Sequence, residues 1–305
     1  MFIATLAQKM GKNDREIREF LINAPEKYKV FTIPKRKHGY RIIAQPSREL
    51  KVYQRQLEDL ISFPVHYRAM AYCKGRSIKI NALHHVKNSY LLKLDLENFF
   101  NSITPDIFWK VWSKTWDLPC DEDRIYIEKL IFWRFQGTLR LSVGAPSSPL
   151  VSNFCMYYFD EKIEEICLNN KVSFTRYADD LTFSSNVKNI LFEIPRLVQD
   201  TLENQFHTGF SINTSKTIFS SRAHNRHVTG ITLDNTGKIS LGRDRKRYIK
   251  HKVHHYTLNI LDEDEINHLR GLIAFAKYIE PVFFHSLEAK YTANMMSKLL
   301  EGKDE

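Results

Sequence analysis

The chain has 305 residues, 43% hydrophobic and 26% charged, with a formal net charge of +10 and a sequence pI near 9.3. That length gives ample core for one large or two modest domains, and the positive balance favours a polyanionic partner, nucleic acid before a membrane surface. Eleven glycines and ten prolines argue against long flexible linkers, and no run approaches the ~18 apolar residues of a membrane span.

The start, Met1 to Ala7, lacks a basic leader and a long apolar stretch, so a signal peptide is not expected. Residues 1 to about 25 suit a helix, with Leu6, Met10, Ile17, Phe20, Leu21 and Ile22 on a broad apolar face. From Glu26 to Arg55 nine basic residues face only Glu26 and Glu49. Val30–Ile33 and Tyr40–Ile43 suit strands joined by a turn over Pro34–Gly39, and the interleaved Tyr28, Phe31 and Tyr40 suit phosphate contact with base stacking. A merely solvated face is the competing reading.

Leu50 to Ile61 fits a helix, Ala71–Gly75 a loop, and Ile78–Val86 a short helix carrying Asn81, His84 and His85. Tyr90–Phe100 is an apolar strand carrying an acid, Asp95, near its end. Helices are expected over Pro105–Trp116 and Asp121–Phe135, the latter opening on three acids that complement the helix dipole. Ser142–Leu150 is a stiff loop with two prolines, and Leu150–Leu168 suits one long helix.

Val172–Arg176 and Leu181–Ser184 flank Tyr177-Ala178-Asp179-Asp180, giving a hairpin with two carboxylates at its tip. After it come an amphipathic helix over Asn189–Asn204, a strand or loop over Phe210–Thr217 with Lys216, and Arg226–Leu233 before the turn Asp234–Gly237. From Gly242 the chain is basic and helical; Asp262–Glu265 opens another helix that Pro281 ends, and a last helix is expected over Phe284–Leu300.

Adjacent carboxylates raise each other's pKa, and the usual relief is a hard divalent cation. An aspartate in an apolar strand is costly unless paired or metal-bound. One acid from each of two strands over two metal ions is how polymerases and some nucleases activate an attacking oxygen. Asp95 and Asp179 are the primary candidates, with Asp180 as the third. The cysteines Cys73, Cys120, Cys155 and Cys167 form no C-x-x-C, so neither zinc nor disulfides are expected, and a cytoplasmic setting fits.

The order of these motifs resembles the reverse transcriptases of bacteria, and within them the retron branch, over nearly the whole chain. Tyr40–Ile43 through Pro46, with Leu50-Lys51 and Gln54-Arg55, resembles the early fingers motifs. Asp95–Phe100 resembles the first catalytic motif, Gly144–Pro149 the template-primer loop, and Tyr177–Asp180 the catalytic hairpin. Asn81-Ala82-Leu83-His84-His85 resembles the branch's N-A-x-x-H element, and Val228-Thr229-Gly230 its V-T-G element. One departure is Val143, where many relatives carry Gln.

The resemblance implies an α+β right-hand polymerase with fingers, a palm of antiparallel sheet and helices, and a small helical thumb. It places the N-terminal helix and fingers at 1–90, the palm at 91–240 with 113–149 contributing toward the fingers, and the thumb at 241–305. It implies two Mg²⁺ ions, with Mn²⁺ as a substitute, at Asp95, Leu96, Asp179 and Asp180. Nucleotide contacts fall to Arg41, Phe100, Ala145 and Lys216, with Phe100 excluding a 2′-hydroxyl and Lys216 donating a proton to pyrophosphate. RNA or template-primer contacts fall to Asn81, His85, Pro146, Ser147, Tyr177, Val228, Thr229, Gly230, Arg243, Arg247 and Lys250. The implied partners are dNTPs, a cognate structured non-coding RNA with its linked DNA, and a separate effector protein acting in phage defence, with no membrane. Competing readings are an intron-like or other defence-associated reverse transcriptase, a non-catalytic RNA-binding scaffold and a two-metal nuclease.

Overall fold

The computed structural model describes residues 2–34, 39–207 and 209–301, so the expected basic turn at 35–38 lies outside the described residues. The chain divides into two compact units. One comprises Met1–Arg76, Leu92–Phe183 and Val187–Phe219; the other comprises Ser77–Leu91, Ser184–Asn186 and Ser220–Glu305.

The expected N-terminal helix is two helices, α1 (Phe2–Met10) and α2 (Asp14–Ile22). Gly11, at φ +62°, breaks the first, and Asn13 restarts the second through a capping box with Glu16. β1 (Tyr28–Pro34) and β2 (Tyr40–Pro46) pair antiparallel with Phe31 opposite Ile43. α3 (Arg48–Leu60) follows, capped by the Ser47 hydroxyl. α4 (Ile78–His85) belongs to the second unit.

β3 (Tyr90–Asp95) leads into α5 (Phe99–Ser102) and α6 (Pro105–Thr115). α7 (Asp121–Ile131) is shorter than expected, because Phe132 turns extended and the aromatic-rich β4 (Trp133–Phe135) pairs with β5 (Thr138–Arg140) across Gly137. The expected helix from Leu150 to Leu168 is α8 (Ser148–Cys155) and α9 (Tyr157–Asn169), separated at Met156, whose ψ of 2° departs from the helical value. β6 (Ser173–Tyr177) and β7 (Asp180–Ser185) form the hairpin.

α10 (Ile194–Phe206) starts later than its apolar pattern suggests, because Pro195 fits only a first turn. β8 (Ile218–Ser221) completes a four-stranded sheet in the order β6-β7-β3-β8. β9 (Arg226–Val228), β10 (Ile231–Leu233) and β11 (Ile239–Ser240) form a small antiparallel sheet. Four helices close the chain: α11 (Arg243–Thr257), α12 (Glu263–Ile279), α13 (Pro281–Tyr291) and α14 (Ala293–Glu301). The last two replace the single expected helix, parted at Thr292 with φ +73°.

In the first unit, rings from α6 and α8 gather about Phe63. Phe63 meets Phe154 at 4.7 Å, and Trp116 stacks on Phe154 at 5.5 Å. Such pairs add ~0.5–1.5 kcal/mol each beyond area burial, and they seat α8 firmly beneath the hairpin it supports. The second unit has its own core, in which Val228, Ile231 and Leu233 pack with Ile249, Leu269, Ile273, Phe284 and Leu287.

Candidate active site

β3 and β7 are neighbours in the sheet, which brings the acid of one strand to the acids of the other. The Leu96 N–H donates to the Asp179 carbonyl at 3.0 Å. On the other side, Asn213 N–H donates to the Asp95 carbonyl at 2.8 Å, and Glu97 N–H to the Ser211 carbonyl at 2.9 Å. Backbone pairing on both flanks therefore fixes the end of β3, and with it the Asp95 side chain.

The hairpin connection is two residues, Ala178 and Asp179. Ala178 sits at φ +58°, a conformation that two-residue hairpins ordinarily fill with glycine. Beneath it lies Arg176, wholly buried. Its guanidinium donates to both Asp160 oxygens, at 2.7 and 2.6 Å, to Asn153 Oδ1 at 3.1 Å and to the Ala178 carbonyl at 3.2 Å.

These groups open onto a cavity of about 430 Å³ lined by Arg41, Tyr72, Asp95, Phe100, Asp179 and Lys216 among others. Phe100 is half-buried in its wall, whereas its neighbour Phe99 is buried in the core. A second cavity of about 380 Å³ is lined by Lys51, Arg55, Ala145, Pro146 and again Tyr72 and Phe100. The loop bearing Ala145 is pinned to β2 by the Ala44 N–H donating to the Val143 carbonyl at 3.2 Å. Gly144 permits that approach: its φ is +125°, and an added Cβ would meet the Ala44 carbonyl at 3.4 Å.

The electrostatics follow from crowding of like charge. Burial and the nearby Asp95 raise Asp179 above the ordinary carboxylate range, against the opposing pull of Lys216 and Arg41. Partial burial, Asp179 and Asp95 push Asp180 up to about 6, and because the side chain is exposed at the surface, solvent softens the effect. The Lys216 ammonium sits 2.8 Å from both oxygens of Asp95.

Among the described residues no group of three His, Cys, Asp or Glu side chains is gathered as a metal site. The donors nonetheless fit a divalent cation. They are hard carboxylate oxygens, Asp179 and Asp180 are held above their ordinary pKa by burial and by neighbouring carboxylate charge, and a lysine ammonium stands where Asp95 would receive a positive ion. Leu96 is buried with no polar side chain, so only its carbonyl oxygen could join them.

Several residues of this site carried no sequence signal that singled them out. Tyr72, at φ +60°, lines both cavities, and burial with the Asp179 charge raises its pKa. Asn213 reaches Asp95 only through its backbone. Arg176 does carry a signal, the one charge in an otherwise uncharged strand, and its partners Asn153 and Asp160 lie one on each of α8 and α9.

The remaining candidates are placed as follows. Ser147 is buried at the start of α8, and Tyr177 is half-buried at the end of β6. In the second unit Asn81 and His85 are wholly buried. Asn81 Nδ2 donates to Thr229 Oγ1 at 3.4 Å, and His85 Nδ1 lies 2.8 Å from Ser184 Oγ. Thr229 and Gly230 form the turn between β9 and β10, both at positive φ, with Val228 in the core. Arg243, Arg247 and Lys250 are exposed at spacings of four and three along α11, which puts them on one helix face.

A family model described as reverse transcriptase (RNA-dependent DNA polymerase) matches residues 33–233. Over 284 residues the chain is 47% identical to the Retron Ec83 reverse transcriptase of Escherichia coli, covering 90% of this chain and 91% of that one. This chain belongs to the retron reverse transcriptases. It is also 34% identical to the Retron Ec73 reverse transcriptase of Escherichia coli, covering 89% of each chain. With the Retron Ec86 enzyme of Escherichia coli it shares 29% identity, covering 92% of this chain and 88% of that one.

The retron reverse transcriptase described here is an RNA-directed DNA polymerase with the mixed helix-and-sheet fold of that family. Its family membership implies dependence on divalent metal ions and association with a template RNA. Among the described residues no helix is long and apolar enough to cross a membrane.

Proposed function

We propose that the enzyme copies a cognate structured non-coding RNA from a priming 2′-hydroxyl within that RNA, giving branched, RNA-linked single-stranded DNA. The observation that carries the catalytic part is the juxtaposition of Asp95 and the Asp179–Asp180 pair at the ends of neighbouring strands, with Asp95 and Asp179 lining one cavity together with Arg41 and Lys216. Two Mg²⁺ ions, with Mn²⁺ able to substitute, would be held by Asp95, Asp179 and Asp180 with the carbonyl of Leu96. When bound, such ions lower the pKa of the attacking hydroxyl and neutralise the phosphates.

The protein groups supply position and charge. Asp95 and Asp179 orient the primer hydroxyl in line with the α-phosphorus of the dNTP; the hydroxyl gives its proton to solvent water, and its oxygen bonds to phosphorus as the bond to pyrophosphate breaks. Arg41 meets the triphosphate. Lys216 leaves Asp95 for the departing pyrophosphate and gives it a proton. The Phe100 ring occupies the space of a ribose 2′-hydroxyl, and Ala145 closes the wall behind it.

Pro146, Ser147 and Tyr177 would guide the template-primer, and the exposed Arg243, Arg247 and Lys250 would meet its phosphates. Thr229 and Gly230, backed by Val228, would meet the enzyme's own RNA, with Asn81 and His85 acting from beneath. In this reading residues 1–90 act as N-terminal helix and fingers, 91–240 as palm with 113–149 reaching toward the fingers, and 241–305 as thumb. The enzyme works in the cytoplasm with a separate effector protein in phage defence.

The test is extraction of nucleic acid co-purifying with the protein expressed from its native locus, treated separately with DNase, RNase and debranching enzyme. The expected result is one DNA species that shortens after RNase or debranching. RNA carrying no linked DNA would overturn the self-priming part of the proposal.

A further inference from the structure

The Arg176 network lies outside the cavity, yet one of its bonds ends on the turn residue that precedes the cavity-lining Asp179. The guanidinium bridges α9 through Asp160, α8 through Asn153, and the hairpin turn through the Ala178 carbonyl. Asn153 passes the brace on, donating to the Ala71 carbonyl at 2.9 Å, next to the cavity-lining Tyr72. The Arg176 backbone pairs with the same segment: its N–H donates to the Arg68 carbonyl at 2.9 Å, and its carbonyl accepts from Met70 N–H at 2.7 Å.

Stability alone is a poor reason for this arrangement. Both charged side chains are 0% exposed, and a buried ion pair is often replaced by apolar residues of similar volume without loss of stability. Geometry is a better one. A non-glycine residue in the left-handed region is strained by its Cβ, so Ala178 persists there only where its surroundings hold it. The guanidinium reaches the carbonyl of that strained residue, and the next two residues are Asp179 and Asp180.

We propose that Arg176, clamped by Asp160 and Asn153, is a positioning residue that locks the strained Ala178 turn and thereby sets where the Asp179 and Asp180 carboxylates stand to receive a divalent cation. This rests on the reading that those acids hold the metal. Lysine keeps the charge opposite Asp160 but has no planar fork to reach Asp160, Asn153 and Ala178 together. Glycine at 178 adopts the turn without the brace.

The experiment measures Mn²⁺ binding to the full chain by electron paramagnetic resonance, with D179N as the blank for other sites. R176K is expected to melt within a few degrees of wild type, yet to bind Mn²⁺ at least five-fold more weakly. Its kcat should recover as metal is raised while KM for dNTP stays unchanged, and A178G in the R176K background should restore most of the lost affinity. R176K with wild-type Mn²⁺ affinity, or no recovery with A178G, overturns the proposal while leaving the metal site intact. Wild type and D179N binding alike overturns the metal-site reading and this proposal with it. Should R176K fail to fold, D160N, which keeps side-chain volume and one oxygen acceptor, is expected to show the same weakened binding; unchanged binding there overturns the proposal.

Discussion

Replacing Lys216 with methionine should change metal binding and chemistry in opposite directions. The ammonium lies 2.8 Å from both Asp95 oxygens, so any cation approaching Asp95 first displaces it. Unit charges ~4 Å apart interact by ~1 kcal/mol in water and ~4 kcal/mol near a protein surface. The Lys216 side chain is 56% exposed, which puts the pair toward the lower figure. Removing ~1 kcal/mol of competition strengthens metal binding about five-fold. Mn²⁺ titration of metal-free K216M at pH 8, where the carboxylates are ionised, should show that gain. The same variant should turn over more slowly at saturating metal, because pyrophosphate loses its proton donor. K216M binding Mn²⁺ no more tightly than wild type would refute the competition argument, and unimpaired turnover would refute the proton-donor role.

Three further outcomes are expected. Asp180 holds its proton to about pH 6 in the fold, against an ordinary value of 3.8, so the folded state binds more protons than the unfolded chain between those values. The metal-free fold therefore loses stability as pH rises through that window and not beyond it; melting in EDTA should show D180N gaining on wild type across it, and a pH-independent difference would contradict this. Phe100→Ala should erode discrimination against ribonucleotides by about ten-fold or more, read by single-nucleotide incorporation with paired rNTP and dNTP, and unchanged discrimination would remove Phe100 from that role. R243A/R247A/K250A should flatten the slope of log affinity for an RNA–DNA duplex against log salt by about 2–3, with a wild-type slope counting against phosphate contact.

The parts of the site legible in the sequence were those written in local chemistry. A lone Asp95 in an apolar strand and two acids at a hairpin tip each announce a cost that something else relieves. What stayed illegible depends on distance along the chain or on backbone detail. Lys216 and Asp95 are separated by 121 residues, and nothing local says that a lysine in a short 3₁₀ turn will reach that acid. Arg176 is the one charge in its strand, flanked by Thr175 and Tyr177, and nothing local points to its partners one and two helices back. The helix boundaries missed at Met156 and Phe132 lack glycine or proline there; tertiary packing of the aromatic cluster and the β4–β5 pairing end those helices instead. By contrast, the capping box at Asn13 and the proline at position 195 were local signals that a broad apolar periodicity had masked.

The central claim is that Asp95, Asp179 and Asp180 form the catalytic centre of RNA-directed DNA synthesis. The direct measurement is dNTP incorporation on an annealed RNA template by Asp179→Asn beside wild type, with RNA affinity measured on the same preparations. The account predicts that extension falls to background while RNA binding is unchanged. Extension by D179N at a rate close to wild type would contradict it.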